Sequence, residues 1–94
     1  EYGGVYDTHQ RDESSYTIGL LGSIQEVLRI GREAKIPVHF SHIKALGADV
    51  WGQSGKAIDL IKRASAEGMN ATANQYPYVA AGTARGASLL PLWA

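Results

Sequence analysis

Two histidines end similar pentapeptides and could share a metal ion. Residues 5–9 run Val-Tyr-Asp-Thr-His and residues 38–42 run Val-His-Phe-Ser-His, which places His9 and His42 33 positions apart. Each pentapeptide has the composition of a short strand, which predicts that both histidines stand at carboxyl ends of strands. Adjacent strands lie ~4.8 Å apart and imidazole nitrogens bind zinc at ~2.0–2.1 Å, so neighbouring histidines could reach one ion. The alternative is that each histidine only hydrogen-bonds at a polar rim.

Strand alternation predicts the direction of these side chains. By period two, His9 should share a strand face with Asp7, and His42 should share a face with Phe40. This pattern predicts that the two histidines lie side by side at the same height. His39 should then lie on the opposite face, where it packs against helices or hydrogen-bonds below the rim.

Lys44 and Tyr76 are candidate substrate-binding residues. Lys44 follows His42 by two positions. An ammonium beside a metal ion is electrostatically costly unless an anion is near, and a substrate carboxylate would supply that anion. Tyr76 lies near the end of a third apolar-aromatic stretch, residues 71–78, and its phenol could donate to a carboxylate or an oxyanion. The alternatives are a solvated lysine and ordinary aromatic packing.

The stretches between the predicted strands have helical periodicity. One helix is predicted from about Thr17 to Ala34, with Ser14 or Ser15 as its cap, and a second from about Ser54 to Glu67. Gly68 suits a left-handed position just past the second helix. The predicted order is strand, helix, strand, helix, strand, which is typical of an α/β fold with a parallel sheet.

The spacing of the repeat predicts part of a larger barrel. A strand-helix unit of a (β/α)₈ TIM barrel takes ~31 residues, because about 250 residues are divided among eight units. The 94 residues would supply about two and a half units and would leave open sheet edges. We therefore expect residues 1–94 to be a single segment of a barrel, with no internal domain boundary. A free-standing three-layer α/β domain is the alternative.

Composition excludes several classes of protein. Hydrophobic residues make up 45% and charged residues 19% of the chain, which is typical of a globular protein. Nine basic residues balance nine acidic ones, so no basic excess favours nucleic-acid binding, and no apolar run reaches the ~20 residues of a membrane helix. There are no cysteines, which excludes thiolate metal sites and is compatible with a cytoplasmic location. The apolar run at residues 89–93 is expected to need a covering partner.

Several motifs in order resemble one enzyme family. Residues 6–13 resemble the Thr-His-x-Arg segment of the N-acyl-D-amino-acid deacylases (D-aminoacylases), in the amidohydrolase superfamily. Residues 30–44 are similar to that family's Ser-His-x-Lys region and the helix end before it. A Trp-Gly pair at 51–52, Gln-Tyr-Pro-Tyr at 75–78 and Ala-Gly-Thr at 81–83 continue the match. The resemblance covers nearly the whole chain.

The resemblance implies a fold, an activity and roles for four residues. The segment would supply the fifth, sixth and part of the seventh strand of a metal-dependent barrel that hydrolyses the amide bond of N-acyl-D-amino acids. His9 and His42 would bind one or two divalent metal ions, with zinc activating a water molecule. Lys44 and Tyr76 would bind the substrate carboxylate. The general base, an aspartate, would lie outside this segment, so no catalytic residue is assigned here.

The expected partners follow from the same resemblance. They are a small-molecule N-acyl-D-amino acid and either the rest of the barrel or other copies of the segment, with no nucleic acid and no membrane. Two alternatives stay open. The first is another amidohydrolase, similar to dihydroorotases or hydantoinases. The second is a non-catalytic, self-associating piece of such a barrel.

Overall fold

Three short parallel strands alternate with two helices. The computed structural model describes residues 2–83. The strands are β1 (Tyr6–Thr8), β2 (Val38–Phe40) and β3 (Ala71–Ala73), and the helices are α1 (Gly19–Ala34) and α2 (Ser54–Ala66). A short 3₁₀ turn, Ala48–Val50, precedes α2. The sheet has the order β1-β2-β3 with both neighbouring pairs parallel. The predicted alternation of strands and helices and the parallel sheet are confirmed.

The core lies between the helices and one face of the sheet. Its buried apolar side chains come from both helices, from β2 and from the 3₁₀ turn: Leu20, Ile24, Val27, Leu28, Val38, Phe40, Val50, Ala57 and Ala64. Burying such side chains is the main favourable term in folding, at roughly 25 cal/mol per Å² of apolar surface. The apolar stripe of α1 therefore fixes which face of the sheet the helices cover.

Gly31 allows α1 to lie close to β2. A Cβ atom built at Gly31 would overlap Cγ1 of Val38 and Cε of Met69, and would lie 3.2 Å from the carbonyl oxygen of Ile36. Helix and strand could not approach this closely with a larger residue at that position. The glycine thus sets the distance between α1 and the strand that leads to His42.

The start of α1 differs from the prediction. Neither Ser14 nor Ser15 caps the helix, because the residue at the cap position is Ile18, whose side chain makes no capping hydrogen bond. The carboxylate of Asp12 instead accepts a hydrogen bond from the backbone N–H of Gly19, at 2.9 Å. The end of α2 agrees with the prediction, since Gly68 has a φ of 90° just beyond it.

The third strand is shorter than predicted. It ends at Ala73, so Tyr76 and Tyr78 follow the strand rather than lie in it. Pro77 lacks an N–H and could not have joined a sheet ladder at this point. The predicted apolar run at residues 89–93 lies outside the described residues. Within residues 2–83, neither helix has the length and apolar character needed to cross a membrane.

Candidate metal centre

His9 and His42 meet at the carboxyl edge of the parallel sheet. His9 directly follows β1, and His42 lies two residues beyond β2. Nδ1 of His9 is 3.0 Å from Nε2 of His42, and the ring centroids are 4.6 Å apart at an interplanar angle of 63°. The structure therefore brings together the two histidines that the sequence pattern singled out.

The two histidines meet by a different route from the one predicted. The register pairs Thr8 with Phe40, so His9 is level with Ser41, and His42 lies one position further along. The prediction that strand alternation sets both histidines side by side at equal height is therefore wrong. His42 instead has a positive φ of 43°, and this turn, not the strand pleat, brings its ring to His9.

His39 lies on the strand face opposite Phe40, as the alternation predicts, but Phe40 rather than His39 faces the helices. Val38 and Phe40 are buried in the core beneath the helices. Asp7 pairs with His39 in the parallel register, so these two side chains lie on the opposite, helix-free face. His39 does not pack against the helices. It hydrogen-bonds below the rim, with Nδ1 2.7 Å from the hydroxyl of Thr72.

Lys44 is held by a carboxylate that the sequence analysis did not single out. Its ammonium donates to both oxygens of Glu13, at 2.7 and 2.8 Å. The side chains of Lys44 and Glu13 are only 16% and 7% exposed, so the pair is largely removed from water. The anion that an ammonium needs in this position is therefore supplied by the chain itself. Glu13 lies in the loop that follows β1, and no residue near it in the sequence indicates that Lys44 is its partner.

Nδ1 of His42, the ring nitrogen that does not face His9, lies near one hydrogen-bond donor and one acceptor. Nδ1 lies 2.9 Å from the Lys44 ammonium and 3.3 Å from Oε1 of Glu13. An ammonium can only donate, so it favours the tautomer with a bare Nδ1 and a protonated Nε2. A carboxylate accepts, so it favours a protonated Nδ1 and leaves Nε2 free as a ligand. Lys44 and Glu13 therefore favour opposite tautomers of His42, and only the tautomer that Glu13 favours presents a free nitrogen to a metal ion near His9.

The donor set suits a divalent metal ion. His9, Glu13 and His42 each offer one ligand atom, and these atoms lie within 4.8 Å of one another. Two nitrogens bound to the same tetrahedral zinc ion are about 3.3 Å apart, which is close to the observed 3.0 Å between the histidines. The two imidazoles thus fit a shared ion with little movement. Glu13 fits less well as a third ligand, because both of its oxygens are bonded to Lys44.

Tyr76 lies beside Lys44. The Lys44 nitrogen is 5.5 Å from the centroid of the Tyr76 ring, which is within the range of a cation–π contact. Tyr76 is half-buried, whereas Tyr78 is 76% exposed. The structure therefore brings together Lys44 and Tyr76, the two residues predicted to bind substrate, and Lys44 in turn contacts His42.

Asp12 shapes the loop that carries Glu13. Its buried carboxylate accepts hydrogen bonds from the backbone N–H groups of Ser14, Thr17 and Gly19, at 2.8, 2.6 and 2.9 Å. Burial alone would raise the pKa of Asp12, but these three bonds and the Thr17 hydroxyl outweigh it and lower the pKa below the ordinary 3.8. The loop is therefore folded around a charged carboxylate.

The loops after β1 and β2 are joined directly. The backbone N–H of Leu46 donates to the carbonyl oxygen of Glu13 at 2.7 Å. The hydroxyl of Ser15 donates to Oδ2 of Asp49 at 3.1 Å. These contacts accompany the ion pair between Glu13 and Lys44, so the residues around the histidine pair are held by two loops that pack as one unit.

The chain is similar in sequence to three deacylases from Alcaligenes xylosoxydans xylosoxydans. A D-aminoacylase is 39% identical over 82 residues, which are 87% of this chain and 16% of the relative. An N-acyl-D-aspartate deacylase is 37% identical and an N-acyl-D-glutamate deacylase 30% identical, each over 81 residues, 86% of this chain and 16% of the relative. The chain thus spans about a sixth of the length of these curated relatives. No protein-family model matches it.

The fold is similar to solved D-aminoacylase structures. One defines a novel subset of amidohydrolases and matches with a TM-score of 0.74 and 40% identity, over 82% of this chain and 15% of that one. Another concerns a binuclear metal centre, with one-metal activation and second-metal attenuation, and matches with a TM-score of 0.74 and 39% identity over the same shares. Sequence and fold agree that the chain is a homologue of one segment of the N-acyl-D-amino-acid deacylases, which are amidohydrolases.

Proposed function

We propose that this chain is part of a metal-dependent amidohydrolase that hydrolyses the amide bond of N-acyl-D-amino acids. The observation that carries the proposal is the histidine pair, with Nδ1 of His9 3.0 Å from Nε2 of His42 at the carboxyl edge of a parallel sheet. The homologues are deacylases of D-amino-acid substrates, and one homologous structure concerns a binuclear metal centre. These similarities support both the reaction class and the metal.

His9 and His42 are the proposed metal ligands, and zinc is the proposed ion. A bound divalent ion supplies Lewis-acid chemistry, because it polarises a carbonyl group and lowers the pKa of water. The two imidazoles would hold the ion through Nδ1 of His9 and Nε2 of His42, the nitrogens that face each other. Oε1 of Glu13 lies 3.3 Å from Nδ1 of His42, where it can accept a hydrogen bond from Nδ1–H and orient the ring. An aspartate elsewhere in the protein is the proposed general base.

Lys44 and Tyr76 are the proposed binding residues for the substrate's α-carboxylate. Lys44 lies beside His42 and offers an ammonium, and Tyr76 lies beside Lys44 and offers a phenol. The ammonium already contacts Glu13 twice and His42 once. A substrate carboxylate must therefore displace one of these contacts, and it competes with Glu13 for the same charge.

The segment is proposed to supply the fifth, sixth and part of the seventh strand of a (β/α)₈ barrel. In such barrels the active site lies at the carboxyl ends of the strands, which is where His9 and His42 lie in this sheet. β1 and β3 each have one unpaired edge within the described residues, and neighbouring barrel strands would pair with those edges. The expected cytoplasmic location is part of this proposal.

Substrate turnover by the full-length protein tests the proposal. Purified enzyme is loaded with zinc and supplied in separate reactions with N-acetyl-D-methionine, N-acetyl-L-methionine, dihydroorotate and hydantoin. We expect release of free D-methionine and little reaction with the other three. The N-acetyl derivatives of D-aspartate and D-glutamate then define the side-chain preference, since relatives of both kinds match the chain. Turnover of dihydroorotate or hydantoin in place of the D-amino-acid derivative would contradict the proposed substrate.

Metal content tests the proposed ligands independently of turnover. We expect His9→Ala and His42→Ala each to retain less zinc than the wild type after dialysis. Elemental analysis measures the zinc that remains. Lys44→Met should keep the zinc and raise KM, and Lys56→Met, an exposed lysine on α2, serves as its control. Full zinc content in both histidine variants would overturn the ligand assignment.

A further inference from the structure

His42 has an uncommon backbone conformation. Its φ of 43° lies in the left-handed region, which residues with a Cβ atom occupy rarely. Within residues 2–83, the other non-glycine residue with positive φ is Lys35, which ends α1 in a conformation common at helix ends. No helix ends at His42. Something other than helix termination must therefore hold its backbone in place.

Asn74 makes contacts that can hold this conformation. Its side-chain oxygen accepts a hydrogen bond from the backbone N–H of His42 at 2.5 Å. Its backbone N–H donates to the carbonyl oxygen of Phe40 at 3.1 Å, and its backbone carbonyl accepts from Ile43 at 3.0 Å. Asn74, which lies one residue beyond β3, thus forms hydrogen bonds with Phe40, His42 and Ile43.

The Asn74 amide is itself held in one orientation. Its Nδ2 lies 3.0 Å from Nε2 of His39, and Nδ1 of His39 lies 2.7 Å from the Thr72 hydroxyl. A His39 that donates from Nδ1 and accepts at Nε2 satisfies both contacts. The amide nitrogen must then face His39, which leaves the amide oxygen facing the His42 backbone.

We propose that Asn74 is a positioning residue for the metal centre: its side-chain amide fixes the left-handed backbone of His42 and so aims the His42 ring at His9. This inference rests on the proposed metal site. Asn74 touches neither metal nor substrate in this role and acts through the His42 backbone. Without the amide oxygen, the turn loses the partner of its N–H group, and the two imidazoles lose their alignment.

Three substitutions in the full-length protein separate this role from a general effect on folding. Asn74→Leu removes the amide with little change in size, and Asn74→Asp keeps an oxygen that can accept from His42. Asn70→Leu is the matched control, because Asn70 is the same residue type at the opposite end of β3. Asn74→Ala replaces Asn74→Leu if the latter does not fold.

Two measurements report on the role, and neither depends on activity. Zinc affinity is measured by competition with a chromogenic chelator. We expect Asn74→Leu to bind zinc roughly 10- to 100-fold more weakly, the usual cost of losing a group that orients a ligand. Hydrogen exchange of the His42 amide is followed by mass spectrometry of overlapping peptides. We expect exchange to become faster in Asn74→Leu and to stay slow in Asn74→Asp and Asn70→Leu.

These experiments distinguish failure of the positioning role of Asn74 from failure of the proposed metal site. If the wild-type protein binds no metal, the metal site itself is refuted. If the wild type binds zinc and Asn74→Leu binds it equally well, with the His42 amide still protected, the positioning role is wrong. Equal losses in Asn74→Leu and Asn70→Leu would also refute it, because they would indicate a general effect of altering β3.

Discussion

The Lys44 ammonium bonds both carboxylate oxygens of Glu13, at 2.7 and 2.8 Å, in a largely buried pair beside His42. The pair neutralises a positive charge that would otherwise repel a metal ion held by the histidines. Breaking one partner of a buried pair typically costs about 3–5 kcal/mol, because the remaining charge loses its compensation. Glu13 thus links the stability of the two loops to the electrostatics of the proposed metal centre.

Glu13→Gln should separate substrate binding from metal binding. With the carboxylate charge removed, the Lys44 ammonium should attract a substrate carboxylate more strongly and lower KM. The same uncompensated charge should weaken zinc affinity. The free energy of unfolding should fall by about 3 kcal/mol, as measured by denaturant titration of the full-length protein.

Glu33→Gln is the matched control for this substitution. Glu33 also pairs with a cation, Arg29 at 2.7 Å, but its side chain is 65% exposed. An exposed pair contributes at most about 1 kcal/mol, so KM, zinc affinity and stability should all stay near wild type. A higher KM in Glu13→Gln would contradict the competition between Glu13 and the substrate.

Zinc binding should change the tautomer of His42. Before zinc is added, the Lys44 ammonium at 2.9 Å favours a bare Nδ1, and on zinc binding through Nε2 the proton should move to Nδ1 and face Glu13. Nitrogen NMR of the histidine-labelled protein should report this exchange, with His42→Asn used for assignment. His39 is an internal control, since Thr72 and Asn74 hold both of its nitrogens. A protonated Nδ1 in the zinc-free protein would contradict the prediction.

Asp12 should make stability depend on acid pH. Its pKa is lowered in the folded protein, so the charged carboxylate stabilises the fold fully above its ordinary pKa of about 4. This contribution is lost as the pH falls from there through the lower pKa of the folded state. Asp12→Asn should cost about 2 kcal/mol at neutral pH. The difference in free energy of unfolding between Asp12→Asn and the wild type should become smaller in acid. Urea unfolding at a series of pH values measures it.

Asp59→Asn is the control for the acid experiment. Asp59 is an exposed residue of α2, and its substitution should leave both the stability and its pH dependence close to wild type. If Asp12→Asn and the wild type differ by the same amount at neutral and at acid pH, then the Asp12 charge does not stabilise the loop.

Gly31→Ala should destabilise the protein. The added methyl group would overlap Val38 and Met69, and overpacking of this kind costs about 1–3 kcal/mol. Gly55→Ala is the matched control in the other helix, where a Cβ atom meets nothing within 4 Å. Chemical denaturation measures the free energy of unfolding of both variants and of the wild type. Equal stability of Gly31→Ala and the wild type would refute the close approach of α1 to β2.

The elements were predictable from sequence because their signals are local. The apolar stripe of α1 has a period close to 3.6 residues, and Gly68 ends α2 at a positive φ. The pairing of His9 with His42 also followed from the repeat. The route by which they meet did not follow from the repeat. The register sets His9 level with Ser41, one residue short of His42, and both this offset and the turn at His42 depend on contacts between strands.

The role of Glu13 could not be predicted from the sequence for a similar reason. Nothing in the sequence near Glu13 indicates that its partner is Lys44, 31 positions away. The same is true of Asn74, which lies just beyond β3 and bonds to His42, 32 positions away. Residues that orient a site through long-range contacts leave no periodic pattern, whereas the histidines they orient stand at predictable strand ends.

The junction of the two loops has a consequence for recombination between homologues. Leu46 donates to the Glu13 carbonyl, and Ser15 to Asp49, so the loop after β1 and the loop after β2 are complementary halves of a single interface. A chimaera that exchanges one loop and keeps the other pairs halves from different parents. Crossover points outside both loops should therefore yield functional hybrids more often than a crossover between them.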